Sequence, residues 1–416
     1  MLVHRVDELR LARGMVVGTT EANERSFVSH GRRNSVCDDP VQPDTVFELG
    51  SITKLFTVLL LANMMQRGEA ELNEPVAHLL PAGTRVPCRN GREITLCDLA
   101  AHRSGLPLRP TNLQPSDRDD PYARYTADQL YEFLGTHELL LTPGDVYTYS
   151  NVGTGLLGYA LARRAASRDY ETLLRERILA PLGMNDTVIG LPPRLAQRLA
   201  SPHNSSLDAT PLWNFDVLAG AGALRSTAID MLTFLEAIAD AHSPVGGMVS
   251  SVIASRDEGG MGLGAPHPDG GTTIAHAGGT GGSRSSIRYI PQWKRGVVVL
   301  SNSNVDAVID LGVHILDTRY SPLWFRKEVP VEPSVFTRLI GSYQISPGRT
   351  LEVTNPDGRL FVRHTSEATR VFPSSEWQYF YKALNAQITF EPGSDGRAAR
   401  LVLHESGSDQ IAIRVA

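Results

Sequence analysis

The sequence predicts an α+β domain whose sheet is built from both ends of its segment around a helical insertion, followed by a linker and a small antiparallel β-barrel. Three observations carry that prediction. Strand-like alternation occurs near the start and returns from about Thr272, the stretch between has helical spacing, and a proline-punctuated segment precedes a last run of short alternating stretches. The boundaries that follow are a main domain over 1–318, a linker over 319–334 and a barrel over 335–416.

Met15-Val-Val-Gly and Ser26-Phe-Val-Ser-His30 flank the polar Thr20-Glu-Ala-Asn23, which predicts a β-hairpin. Leu55 to Met65 is apolar except for Thr57 and Asn63; at about half the ~20 residues of a membrane span, it predicts a buried core helix. Thr126-Ala-Asp-Gln129 has the form of a capping box, Ser150 to Ala166 is a second helical stretch, and Ser226 to Ala241 carries Met231, Leu232, Leu235 and Ile238 at helical spacing. Ser286-Ile-Arg-Tyr-Ile290 and Gly296-Val-Val-Val-Leu-Ser301 predict strands, with a helix over Val305 to Leu316. Pro322, Pro330 and Pro333 mark the linker, after which Leu351-Glu-Val-Thr, Arg359-Leu-Phe-Val-Arg and Ala386-Gln-Ile-Thr-Phe390 are separated by turns at 355–358 and 394–396. No repeat of ~20 to 50 residues points to a solenoid.

Composition narrows the function classes. A hydrophobic content of 42% with 20% charged residues excludes disordered and collagen-like chains. Forty basic against 45 acidic residues, without a Lys/Arg cluster, leave little to drive nucleic-acid binding, so no such partner is expected. Three cysteines (Cys37, Cys88 and Cys97) do not make a disulfide framework or a CxxC metal site. The charged start, from Met1 to Arg10, lacks the apolar stretch of a signal peptide, so a cytoplasmic protein without a membrane segment is the expectation.

Three short segments carry chemistry. In Ser51-Ile-Thr-Lys54, serine and lysine sit three apart at the head of the apolar helix and can touch. The helix N-terminus there favours an oxyanion forming beside Ser51, and the apolar wall of Leu55, Phe56 and Leu59 desolvates Lys54 toward the neutral amine that a general base requires. Alone the spacing is weak, because a serine at a helix start commonly serves only as an N-cap. In Tyr149-Ser150-Asn151 the phenol can relay a proton and the Asn151 amide can hold a substrate amide; a core tyrosine and a capping asparagine are the plainer reading. In His276-Ala-Gly-Gly-Thr-Gly-Gly282 the glycines, Gly278 and Gly279 among them, admit a substrate close to a strand-edge backbone; a glycine-rich turn beside a surface histidine is the alternative.

The order of the three resembles that of serine β-lactamases and penicillin-binding proteins, where Ser-x-x-Lys precedes a polar triplet and then Lys-Thr-Gly. The chain resembles the class C β-lactamase, DD-peptidase and family VIII esterase group over about residues 10 to 318. Leu99-Ala-Ala-His-Arg-Ser-Gly-Leu106, Pro181-Leu-Gly-Met184 and Ala219-Gly-Ala-Gly-Ala-Leu224 look like its further landmarks. The resemblance implies a β-lactamase/DD-peptidase-like α/β sandwich with a helical insertion and, after the linker, a lipocalin-like barrel. It implies Ser51 as nucleophile, Lys54 and Tyr149 sharing general-base and general-acid work, and Asn151 positioning the acyl donor. It also implies an oxyanion hole from the N–H groups of Ser51 and Gly279.

No cofactor or metal is expected, and the partner is a small-molecule or peptide acyl substrate. Two positions depart from the pattern: His276 stands where many relatives have lysine, and Ala277 where a threonine hydroxyl commonly helps bind a substrate carboxylate. Esterase or amidase activity is therefore expected ahead of efficient β-lactam hydrolysis or strict D-Ala-D-Ala cleavage. A thioesterase-like peptide cyclase and a non-catalytic penicillin-binding sensor are the alternatives. Gly153-Thr-Gly-Leu-Leu-Gly158 matches a dinucleotide fingerprint but lacks a βαβ setting, and no G-x-S-x-G or H-E-x-x-H occurs. His102 and His203 are expected as structural or surface histidines rather than zinc ligands.

Overall fold

A computed structural model describes all residues except 23, 35–38, 115–118, 241, 249–263, 267–271, 324, 365–367, 406 and 416. Its first strands are β1 (Gly14–Glu21), β2 (Glu24–Gly31), the two-residue β3 (Phe47–Glu48) and β4 (Arg225–Ser226), β5 (Gly264–Pro266), β6 (Thr272–Gly279), β7 (Arg284–Ile290) and β8 (Arg295–Ser301). Six of them form one sheet in the order β2-β1-β8-β7-β6-β5, all neighbours antiparallel. The sheet is thus assembled from both ends of the domain, with β8 slotted against β1. Between the ends run α1 (Thr53–Gln66), α2 (Leu96–Ala100), α3 (Ala127–Thr136), α4 (Asn151–Arg164), α5 (Tyr170–Leu174), α6 (Pro193–Ala196) and α7 (Ala228–Ala239).

β8 explains why both faces of the sheet need cover. Val297, Val298, Val299 and Leu300 are all buried, and alternation sends Val298 and Leu300 into the core shared with α7 and Val297 and Val299 into a second core. That second core is closed by α8 (Ile309–Leu316), which supplies Leu311 and Leu316. The capping box expected at Thr126 is formed, with Gln129 N donating to Thr126 Oγ1 at 3.2 Å and Thr126 N to Gln129 Oε1 at 2.9 Å. The Gly153-x-Gly-x-x-Gly158 stretch lies inside α4, where it serves close packing. A Cβ on Gly155 would meet Leu218 at 2.7 Å and one on Gly158 would meet Gly220 Cα at 3.1 Å.

Pro333 does not belong to the linker: it opens α9 (Pro333–Leu339), because a proline at the first helical position loses no hydrogen bond. Then follow β9 (Gly341–Ser346), β10 (Arg349–Thr354), β11 (Phe361–Arg363), β12 (Ala368–Arg370), β13 (Phe372–Pro373), β14 (Gln378–Phe380), β15 (Ala386–Pro392), β16 (Ala398–Glu405) and β17 (Ser408–Arg414). They form one antiparallel sheet in the order β12-β11-β10-β9-β17-β16-β15-β14-β13, so the two end strands are consecutive in the chain and the barrel is nearly closed. Tyr343, Tyr379, Phe390 and Leu401 fill it, with Phe336 and Leu339 of α9 packed among them. Among the described residues no helix is long and apolar enough to cross a membrane.

The N-terminal segment is tied down by a buried ion pair. Arg5 Nη1 and Nη2 donate to the two carboxylate oxygens of Asp310 in α8 at 2.8 and 2.6 Å, and Nη1 also donates to Ala307 O. Removing one partner of such a pair leaves the other charge buried and unpaired. Arg5→Ala is expected to cost about 3–5 kcal/mol of unfolding free energy; an unchanged urea midpoint would show that the pair contributes nothing.

Candidate active site

Ser51 lies in a tight 3-10 turn, Gly50–Ile52, between β3 and α1, one turn earlier than a residue inside the α-helix proper. Gly50 has φ +53°, and a Cβ there would stand 2.6 Å from the backbone nitrogen of Gly279, so the turn and β6 approach through bare backbone. Lys54 follows on the first turn of α1, a helix whose side chains are buried on almost every side. Its Nζ is 3.0 Å from Ser51 Oγ and donates to Ala221 O at 2.6 Å. Burial among apolar side chains, with Lys54 only 3% exposed, pushes its pKa down from 10.5 to about 7.

From the far side, the Tyr149 hydroxyl donates to Ser51 Oγ at 2.8 Å. Burial, opposed by that hydrogen bond, pushes the phenol up to about 12, so it stays protonated. The ring lies against His102, centroids 4.5 Å apart, and His102 Nδ1 accepts from Ser150 N at 3.2 Å. With Nδ1 accepting, the neutral ring carries its proton on Nε2. Ser150 caps α4 by accepting from Gly153 N (2.9 Å) and donates to Pro107 O (2.7 Å). The Leu99–Leu106 landmark and the residues after it therefore hold the Tyr149-Ser150-Asn151 corner.

Asn151 is the first residue of α4. Its Nδ2 donates to Tyr122 OH at 2.8 Å, while its Oδ1 is buried with no hydrogen-bond partner among the described residues. Such an orphaned acceptor fits a ligand N–H. On β6, a Cβ at Gly278 would collide with Leu49 O at 1.9 Å and stand 2.9 Å from Ser51 N. Alternation places His276 on that same face of the strand; its Nδ1 lies 2.8 Å from Ala277 O. Ala277 pairs across the strands with Ser286.

One carboxylate ties these parts together. Glu48, three residues before the serine, is 4% exposed and accepts from Thr280 Oγ1 (2.7 Å), Ser283 Oγ (3.1 Å) and Trp213 N (2.8 Å). Burial pushes its pKa up; the two hydroxyls, the Trp213 amide and Arg225 oppose this. The Ala219–Leu224 landmark supplies a second clamp: besides Ala221 O on Lys54, Gly220 O accepts from Thr57 and Leu224 N donates to Thr53 Oγ1.

Residues 3–318 match the family model described as Beta-lactamase. The chain belongs to the beta-lactamase family. It is 34% identical over 239 residues to the D-alanyl-D-alanine-carboxypeptidase/endopeptidase AmpH of Escherichia coli (strain K12). That match covers 54% of this chain and 57% of the relative, so it spans little more than half of that protein's length. A solved class C beta lactamase from Rhodobacter sphaeroides is similar at 28% identity with a TM-score of 0.59, over 70% of this chain and 90% of that one. The octameric penicillin-binding protein homologue from Pyrococcus abyssi shares the fold at 20% identity, TM-score 0.63, over 97% of this chain and 96% of that one. The β-lactamase/DD-peptidase fold expected from the three segments is the one found.

Of the predicted residues, Ser51, Lys54 and Tyr149 meet within hydrogen-bond distance, Gly278 and Gly279 abut the serine turn through backbone, and Asn151 and His276 stand on the adjoining helix start and strand. Sequence reasoning passed over Glu48 and Tyr122, and gave His102 no part near Tyr149. A charged residue inside the apolar run Val46–Leu49 was the available signal for Glu48.

Two expectations follow. Gly278→Ala forces the strand off the serine turn, and labelling of Ser51 by a fluorophosphonate is expected to slow on the order of 100-fold; unchanged labelling would show that the turn and strand do not act together. Lys54→Met removes an amine that folding strips of its proton. The unfolded chain binds that proton below 10.5 and the folded protein only below about 7. The native protein should therefore lose stability relative to the variant by about 1.4 kcal/mol per unit as pH falls through that window, and level off below it. A pH-independent difference in urea denaturation would place the amine in water.

Proposed function

We propose that the protein is a serine hydrolase that forms a covalent acyl-Ser51 intermediate with an ester or amide substrate. The observation that carries this reading is the three-way contact of Ser51 Oγ with a desolvated lysine amine at 3.0 Å and a protonated phenol at 2.8 Å. The neutral amine takes the serine proton as Oγ bonds to the acyl carbon. Negative charge then develops on the former carbonyl oxygen, for which the N–H groups of Ser51 and Gly279 are the assigned donors. As the C–O or C–N bond breaks, the phenol of Tyr149 gives its proton to the leaving group and the Lys54 ammonium returns one to the phenolate. Water attacks the acyl carbon in the second half, its proton passing to Lys54, which returns it to Ser51 Oγ as the C–Oγ bond breaks and the acid leaves, so that the neutral amine and the serine hydroxyl are restored.

Asn151, with its unpartnered Oδ1, is assigned to the amide or ester flank of the acyl group, and His276 to the opposite wall. The name of the AmpH relative supports peptide amides within the substrate range. His276 and Ala277, in place of lysine and threonine, favour substrates that do not depend on a tightly held carboxylate.

Turnover of a chromogenic ester, with fluorophosphonate labelling of one serine, is the expected result, and both are lost in Ser51→Ala. Labelling that persists in that variant rejects the nucleophile; no labelling and no turnover in the native protein favours a sensor. Because Lys54 must be neutral, kcat/KM is expected to fall tenfold per unit below about pH 7 and to be flat above it. A profile flat down to pH 5 would remove Lys54 from the role of base.

A further inference from the structure

Away from the catalytic cleft, a cavity of about 690 Å³ opens at the seam between the first domain and the barrel. Its charge is lopsided. Arg10, Arg13, Arg32, Arg370 and Lys382 line it beside two carboxylates, Asp7 and Glu328, in a chain whose net charge is −5. Both carboxylates are already engaged. Asp7 pairs with His30 Nε2 at 2.8 Å, and Glu328 lies 2.8 Å from Lys382 Nζ and 4.0 Å from Arg370 Nη2.

Two of the cations converge on one ring. Lys382 is only 3% exposed; its Nζ sits 4.0 Å from the centroid of the Phe372 ring, and Arg370 Cζ lies 4.5 Å from the same centroid. Arg10 has a left-handed backbone (φ +49°) and its carbonyl accepts from Lys382 Nζ at 3.3 Å. Burial lowers the Lys382 pKa first; Glu328 opposes, and Arg370 and Arg10 lower it further, so the three positive charges are felt together. At the rim, Arg359 and Asp208 pair at 2.8 Å and cancel. Arg13 Nη2 donates to Leu207 O at 3.1 Å, which closes the wall opposite the barrel.

Glu328 supplies one negative charge to the two covered cations, Lys382 and Arg370, and a like charge left over beside them costs free energy that a further anion would offset. We propose that this cavity binds a small organic phosphate, its multiply charged phosphate-type head held by Arg10, Arg370 and Lys382. A cavity of 690 Å³ falls in the size range of small-molecule sites and leaves room beyond the head for an organic group against Leu207 and Ala12. Guanidinium forks match phosphate oxygens in pairs. This inference is independent of the chemistry at Ser51.

The test is isothermal titration calorimetry of the full chain with inorganic pyrophosphate at constant ionic strength. Saturable one-to-one binding is expected, retained in Ser51→Ala and weakened at least tenfold in both Arg10→Gln and Arg370→Gln. Arg10 is exposed, so Arg10→Gln is expected to keep the native unfolding midpoint, and that midpoint, measured alongside, separates lost binding from misfolding. An unsaturable response equal to that of sodium chloride overturns the proposal. So does saturable binding that both arginine variants leave unchanged or that Ser51→Ala abolishes.

Discussion

The first domain is organised around a lysine amine kept out of water without a carboxylate to hold its proton. Lys54 and Lys382 make the comparison inside one molecule. Each is 3% exposed, but Glu328 stands 2.8 Å from Lys382 and raises its pKa against the effect of burial, whereas burial alone acts on Lys54. A neutral amine in that setting still needs polar partners, and it finds Ala221 O and Ser51 Oγ. Keeping water away in turn requires α1 to be apolar nearly all round, which is why Leu55 to Met65 looks like a fragment of a membrane span and is a core helix. The ring of Tyr149, 4.9 Å from Nζ, covers the remaining side.

What could be read from the sequence follows the range of the interactions. The contact of Ser51 with Lys54 is local, since residues three apart share a face wherever the chain turns helically, and it was legible from spacing. The hairpin of β1 and β2, the capping box at Thr126 and the strands either side of 291–294 are local in the same sense. Tyr149 meets Ser51 across 98 residues, which no periodicity encodes. It was legible only because the order of three segments resembles a known set. Glu48 was not legible at all: its partners, Thr280, Ser283 and Trp213, are 165 or more residues away. Its demand for three donors is a property of the folded interior, where a buried carboxylate must be satisfied. The same holds for His102, whose contacts with Tyr149 and Ser150 are 47 and 48 residues away in sequence.

The domain's sheet explains how segments so distant reach one point. Because β8 pairs with β1 on one side and β7 on the other, the last third of the domain is anchored to its first strand, and β6 is carried to the turn that holds Ser51. Closing from both ends costs loop entropy, which grows slowly with length, and buries both faces of the central strand β8. The gap left for the reaction is then set by backbone rather than by side chains. A Cβ at Gly50 or Gly278 would run into backbone of the other segment, and Glu48 pins Thr280 and Ser283 from behind.

A site built this way separates chemistry from selection. The serine, amine and phenol are fixed by α1, by the 219–224 segment and by the α4 corner, none of which depends on the side chains at 276 and 277. Those two positions sit on a strand whose path is held by glycine contacts and by pairing with β7, so their side chains can change without moving the backbone beside Ser51. On the function proposed above, His276 and Ala277 bear on which acyl donor is held, while the contacts of Ser51 with Lys54 and Tyr149 stay as they are. A chain of this fold can therefore keep the contacts of Ser51 with Lys54 and Tyr149 whatever side chains stand at those two places.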